Sequence, residues 1–234
     1  SLVTATGLSR ATGNVISHDK VTRFLSSEDF TSAHLWQFAK PLIKSINENK
    51  NDGVLIIDDS IEEKPYTDEN PIIAWHYDHS KNRSVKGINF ISALYQGNNT
   101  SVPVGYDVVK KTNVVVKKKT GKNRRKAPIS KQQHFRNLIK SALDNLLDFK
   151  TVLADSWFSS AENMCFIKNE MKKDFIMPLK ENRRVALSDE KLAAGDFVSI
   201  KKLELGEGIL VRLEGVDFPL RLTCQVFKDE DAST

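Results

Sequence analysis

Val54-Leu-Ile-Ile-Asp-Asp-Ser60 is a run of four apolar residues, three of them β-branched, halted by two adjacent acids. A continuous run of this kind reads as a strand buried on both faces of a mixed sheet. It follows Asn51-Asp-Gly53, which supplies the turn into it. A second short run, Thr151-Val-Leu-Ala154, also stops at an acid, Asp155. Open α/β sheets gather their ligands at the carboxyl ends of strands. Taken singly, an Asp after a strand is as readily a turn former or a helix cap. Two acids brought to one sheet end repel each other unless a cation sits between them. Magnesium and manganese prefer such oxygen ligands. A pair of these ions can activate a water or a 3′-hydroxyl and stabilise the oxygen leaving a phosphodiester.

Outward from these two runs the pattern is strand, hairpin, helix, strand, helix, strand. Ile88 to Gln96 and Val102 to Lys111 are strand-like, and Gly97-Asn-Asn-Thr100 joins them as a hairpin turn. Residues 61–87 read as polar and irregular. Ser130 caps an amphipathic helix with Phe135, Leu138, Ile139, Ala142, Leu143, Leu146 and Leu147 on one face. Ser159 and Glu162 have capping-box spacing for a second helix. Asp174 to Leu179 is a further strand, with Pro178 marking its edge or end. Residues 1–50 divide into three helical stretches: Thr4 to Thr12, a helix capped by Ser17, and one from about Ser32. Gly13-Asn14 separates the first two, and two readings stand: a helix-turn-helix, or a plain three-helix packing unit. Residues 184–234 hold short strands between Gly-rich turns. The expected layout is therefore a helical unit over 1–50, an α/β core over 51–183 and the start of a β-rich insertion over 184–234.

The chain has 234 residues, 40% of them hydrophobic and 28% charged, which suits one globular domain with small appendages. Its net charge of +5 favours a polyanionic partner. Cys165 and Cys224 match no zinc spacing and read as reduced thiols in a cytoplasmic protein. No apolar run is long enough for a membrane span, and no secretory signal is visible. Residue 1 is Ser and the first Met is Met164, which reads as a piece of a longer protein.

Four stretches together resemble the insertion-sequence transposases of the DDE class. They are Val54 to Ser60, Ala74-Trp-His-Tyr-Asp-His-Ser80, Leu153-Ala-Asp-Ser-Trp-Phe-Ser159 and Phe175-Ile-Met-Pro-Leu-Lys-Glu-Asn182. The resemblance covers roughly residues 15–230 and implies an RNase H-like fold: three antiparallel strands, a helix, a parallel strand, then further helices and strands. It implies that Asp59 is the first catalytic acid and Asp155 the second, both binding two Mg2+ ions, with Mn2+ as a substitute. Asp58 is the rival for the first position, because a one-residue shift turns a side chain to the other face. The implied partner is double-stranded DNA, both transposon ends and target, with a homodimer in the active complex and a bacterial, nucleoid-associated location. The family's third acid is a Glu in a Tyr-x2-Arg-x3-Glu-x6-Lys signature. All four tyrosines here precede Asp155, so that signature is absent, and Glu162, Glu170 and Glu181 lack its surroundings. The resemblance thus implies a chain that is catalytically incomplete by itself.

Basic residues supply the candidate DNA contacts. Lys110, Lys111, Lys117, Lys118, Lys119, Lys122, Arg124, Arg125 and Lys126 put nine positive charges into seventeen residues, with no acid between Asp107 and Asp144. Such a segment suits phosphates and carries little base specificity; it also reads as a solvated hairpin extension. His79, Arg83 and Lys86, with His76 and Lys81, form a second cluster that reads equally as a polar loop. Trp157 and Phe158 offer a stacking surface for a frayed base, or core packing. Two rival functions remain: an RNase H-like nuclease without strand transfer, and a non-catalytic DNA-binding remnant.

Overall fold

A computed structural model of the chain describes residues 4–46, 53–116, 121 and 123–224. Three helices come first: α1 (Ala5–Ala11), α2 (His18–Ser27) and α3 (Ser32–Ile46). Thr4 caps α1 by accepting the Gly7 N–H, and Ser17 caps α2 by accepting that of Lys20. Gly13 and Asn14 form the break between them, both at φ 62°. Ala39 and Ile43 of α3 face the core, whereas Phe38 and Leu42 are exposed. The helix docks on the sheet through Tyr106, whose N–H donates to Ser32 Oγ at 3.1 Å and whose hydroxyl donates to the Phe30 carbonyl at 2.8 Å. Gly105 lets α3 come this close, since a Cβ there would lie 3.1 Å from Ser32 Oγ.

Six strands make the main sheet: β1 (Val54–Glu63), β2 (Ile73–Asp78), β3 (Arg83–Gly97), β4 (Thr100–Val108), and, further along the chain, β7 (Thr151–Ala154) and β8 (Asp174–Ile176). Between them in sequence come β5 (Asn113–Val116), β6 (Asn123–Lys126) and α4 (Lys131–Asp144). β1, β3 and β4 are antiparallel neighbours; β7 runs parallel to β1, and β8 parallel to β7. This is the order that the RNase H-like expectation requires, with β2 added beside the first half of β3.

The segment expected to be irregular, 61–87, is the main correction. β1 runs on through its charged residues to Glu63, because β3 pairs with it along its whole length, from Val54↔Gln96 to Glu63↔Gly87. β2 and the beginning of β3 fill most of the rest. One wet face explains the polar texture: in β2, Ala74 and His76 are buried while Trp75 and Tyr77 are exposed.

The core lies between this sheet and α4. Phe135, Leu138, Ile139 and Ala142 pack on Leu55, Ile57, Ile91, Ala93, Val152 and Ala154. Ser130 caps α4 as expected, accepting the Gln133 N–H. The helix ends at Asp144, so Leu146 is not on its apolar face; it sits at φ 60° and is exposed, while Leu147 turns back into the core. Helix α5 (Ala161–Cys165) continues as a π-helical turn over Phe166–Glu170, and its cap is Ser160 rather than Ser159. β8 is shorter than expected and stops before Pro178.

Beyond it lie β9 (Arg184–Val185), α6 (Asp189–Ala193), β10 (Val198–Ser199), β11 (Ile209–Val211) and β12 (Leu220–Leu222), in two small antiparallel pairs. They surround a second apolar cluster of Met164, Val185, Val211, Leu213 and Val216. Among the described residues no helix is long and apolar enough to cross a membrane.

Candidate active site

The site begins with the parallel pairing of β1 and β7, in which Ile57 is level with Ala154. Asp58 and Asp155 are the next residues on the two strands, so their carboxyl groups leave neighbouring chains at one level. Alternation sends Asp59 to the other face, that of Leu55 and Ile57. There its Oδ2 accepts a hydrogen bond from Asn89 Nδ2 at 3.2 Å and an ion pair from Lys131 Nζ. A cleft of about 600 Å3 wraps over the strand ends and takes in all three acids, together with Tyr77, His79, Lys131, Trp157 and Lys180.

Electrostatics distinguish the two β1 acids. Partial burial pushes the Asp58 carboxyl above the usual aspartate range, and the negative charges of Asp59 and Asp155 push the same way. A hydrogen bond from the Asp59 N–H to Asp58 Oδ1, at 2.8 Å, opposes the rise. Asp59 instead has a cation on it. Among the described residues no group of three or more His, Cys, Asp or Glu side chains converges closely enough to hold a metal unaided. Oxygen donors dominate the cleft, chiefly the carboxylates of Asp58, Asp59, Asp78 and Asp155, with His79 beside them, and the Lys131 ammonium already occupies Asp59. That set fits a hard divalent ion that keeps several waters and takes further oxygens from a phosphate substrate.

The loop after β7 is pinned. The Trp157 N–H donates to Asp155 Oδ1 at 2.9 Å, and Gln132 Nε2 donates to the Trp157 carbonyl at 2.9 Å. Asn163, fully buried, donates to the Phe158 carbonyl at 2.9 Å and to Gln132 Oε1 at 2.5 Å, and accepts from Arg136 at 2.9 Å. Phe158 is fully buried and stacks on Phe135 with ring centroids 4.7 Å apart, which removes it from any stacking role with DNA. Trp157 remains half-exposed in the cleft. Its ring lies 5.1 Å from that of His79, which in turn lies 4.9 Å from Tyr77.

The other basic candidates separate. His79 and Lys81 line the cleft. Arg83 is engaged by Glu63 at 3.1 and 3.2 Å, and Lys81 pairs with the same carboxylate. Lys86 is half-buried opposite Trp75 on the β2–β3 pair and does not line the cleft. His76 is buried in β2, where burial, helped by the charges of Lys111 and Lys131, lowers its pKa to about 4; it is not paired with His79. Arg124, Arg125 and Lys126 form β6 and pair with β5 as a hairpin. Lys117, Lys118, Lys119 and Lys122 lie outside the described residues.

Three basic residues at the site went unnoticed in the sequence. Lys131 follows the helix cap directly and so read as an ordinary first-turn residue. Lys180 and Arg183 follow β8, where the strand-end rule that found the acids also applies; with Gln132, Ser160 and Asn182 they line a smaller cavity adjoining Trp157.

Comparison with known proteins gives the family. Residues 3–196 match the family described as DDE superfamily endonuclease. No curated protein matches the chain. Among solved structures, the Drosophila P element transposase strand transfer complex matches at 8% identity and a TM-score of 0.25, over 79% of this chain and 52% of that one. The chain thus spans about half the length of that relative. With the family match over most of its length, and acids at the ends of adjacent parallel strands, the chain belongs to the DDE superfamily of endonucleases.

Proposed function

We propose that this chain carries catalytic-core residues of a transposase that cleaves the ends of an insertion sequence and joins them to target DNA. The observation that carries the reading is the cleft in which Asp58, Asp59 and Asp155 meet at the carboxyl ends of β1 and β7. In this reading Asp59 and Asp155 hold the metal ions, with Asp58 as a third carboxylate level with Asp155. Bound Mg2+ would make water or a 3′-hydroxyl a stronger nucleophile and offset charge on the phosphorane and the leaving oxygen. The protein's own side chains bind and orient. Lys180 and Lys81 draw the phosphate in, and the loop pinned by Asn163 and Gln132 fixes Asp155. Trp157 offers an aromatic face to a base frayed from the duplex end. Hydrolysis frees a 3′-hydroxyl, which then attacks a target phosphodiester and releases a new 3′ end.

The β5–β6 hairpin supplies phosphate contacts through Arg124, Arg125 and Lys126, and the helical unit over residues 1–50 offers Lys20 and Arg23 on α2 to the duplex. Pairing two transposon ends calls for a dimer. The test is strand transfer: a pre-cleaved end and a target plasmid incubated in Mg2+ with the gene product that contains these residues. Joined product, lost in Asp155→Asn, supports the proposal. Cutting without joining supports an RNase H-like nuclease instead.

A further inference from the structure

A second cavity, of about 510 Å3, shares Tyr77 with the acid cleft and is lined by β2 and the β5–β6 hairpin. Its charged lining is one-sided. Lys111, Arg124 and Arg125 face a single carboxylate, Glu69, whose Oε1 is 3.7 Å from Arg125 Nε. Lys111 is half-buried, and its ammonium donates to the Trp75 carbonyl at 2.5 Å. Among the described residues no acid pairs with Lys111 or Arg124. Burial lowers the Lys111 pKa, and repulsion from Arg124 and Lys131 lowers it further, with only Glu69 acting against them. A cation held in this way is short of an anion.

Two further residues complete the wall, His76 and Trp75. His76 is 5% exposed, and its Nε2 is buried without a hydrogen-bond partner among the described residues. A buried ring nitrogen in that state is uncommon, because burial strips its water and returns nothing. Trp75 is exposed beside it. Nothing in the acid cleft uses either residue.

We propose that this cavity is a socket for one phosphate group, held by Lys111, Arg124 and Arg125 and bordered by His76 and Trp75. Three cations against one carboxylate leave a net charge of +2, which a phosphate oxyanion offsets. Arginine's planar fork matches two phosphate oxygens at once, and lysine supplies a point charge. The same chemistry is found in a DNA backbone phosphodiester and in free phosphate. Because Tyr77 walls both the cavity and the acid cleft, a strand crossing the acids would bring a flanking phosphate to the socket. That second step rests on the DNA-joining function proposed above.

The experiment uses the 234-residue chain and two readouts. Melting temperature is measured with inorganic phosphate against chloride at equal ionic strength. Affinity for a duplex oligonucleotide is measured by anisotropy across a salt series. The expected result is a phosphate-dependent rise in melting temperature, absent in Lys111→Met and in Arg124→Met. The log–log salt slope should also fall by about 0.9 for each contact removed. Arg124 is on the exposed hairpin, so its variant serves if Lys111→Met folds poorly. A phosphate response with an unchanged DNA slope assigns the socket to free phosphate. Wild-type chain that responds to phosphate but does not bind DNA keeps the socket and removes the transposase reading. No phosphate response and no change in slope in either variant overturns the socket.

Discussion

Lys131, the first residue of α4, places its ammonium on the Oδ2 of Asp59 inside the cleft that Asp155 also lines. Both side chains are mostly covered, 23% and 19% exposed, so this contact is not a solvent-screened surface pair. It gives the site an internal cation that a divalent ion must displace if Asp59 is a ligand.

Replacing Lys131 by Met should therefore have opposite effects with and without metal. Breaking a fully buried pair costs about 3–5 kcal/mol and an exposed one about 0–1 kcal/mol, so a loss of about 1–3 kcal/mol is expected without metal. Added Mg2+ should recover most of that loss, and Mg2+ should bind more tightly than in wild type. Denaturant unfolding with and without Mg2+ measures both. An equal loss in the two conditions would remove Asp59 from the metal site.

Asp58 carries a pH prediction. Its folded pKa is raised by burial and by Asp59 and Asp155, so the folded state favours the protonated form. Its ionised form therefore costs stability above the raised pKa, and that cost is relieved as pH falls through it towards the ordinary aspartate value of 3.8. Asp58→Asn should raise the melting temperature of the metal-free protein at neutral pH and flatten its pH dependence just above the ordinary aspartate range. Thermal melts from pH 4 to 7 check this; a lower melting temperature at neutral pH would contradict it.

Asn163 is the keystone of the Asp155 loop. Asn163→Leu takes the donor from the Phe158 carbonyl and from Gln132 Oε1, while Arg136 keeps Glu162 and Gln133. The expected cost is about 1–3 kcal/mol for the buried groups left unpaired. Trp157→Ala, by contrast, should leave stability nearly unchanged and weaken binding of a frayed-end duplex by about 1–3 kcal/mol relative to a blunt, fully paired one. Calorimetry and anisotropy separate the two effects, and equal weakening on both duplexes would remove the stacking role.

The purified 234-residue chain should bind duplex DNA yet cut it little, because no Glu here has the surroundings of the family's third acid. A nicking assay in Mg2+ is the measurement. Strong cutting, abolished in Asp59→Ala, would mean that one of the existing acids completes the site.

The order of the core elements was readable because it depended on strong local signals. Val54 to Ile57 and Thr151 to Ala154 are apolar runs stopped by acids, and Ser130 is a side-chain cap followed by a helical stripe. What could not be read depended on partners distant in sequence. Asp58 to Glu63 stay extended only because β3 supplies a ladder beside them, and no local propensity of Asp-Asp-Ser-Ile-Glu-Glu announces that. Leu146 kept the helical spacing although the helix had already ended. At the site, the two acid positions were visible, but the choice of face was not. Lys131 and Asn89 approach Asp59 from α4 and β3, and only the fold brings them there. Phe158 read as either a stacking surface or core packing, because an aromatic beside an acid gives no sign of Phe135 across the core, which decides for packing.

The parallel pairing of β1 with β7 also bears on timing. A ribosome releases Asp58 and Asp59 well before Asp155, with β2, β3, β4, the hairpin and α4 in between. Parallel strands joined by so long a crossover are among the last contacts to form, since the loop must close before the pairing contributes anything. A half-made or half-folded chain therefore has Asp58 and Asp59 apart from Asp155. The cleft that holds the acids is a product of the finished sheet rather than of any local segment.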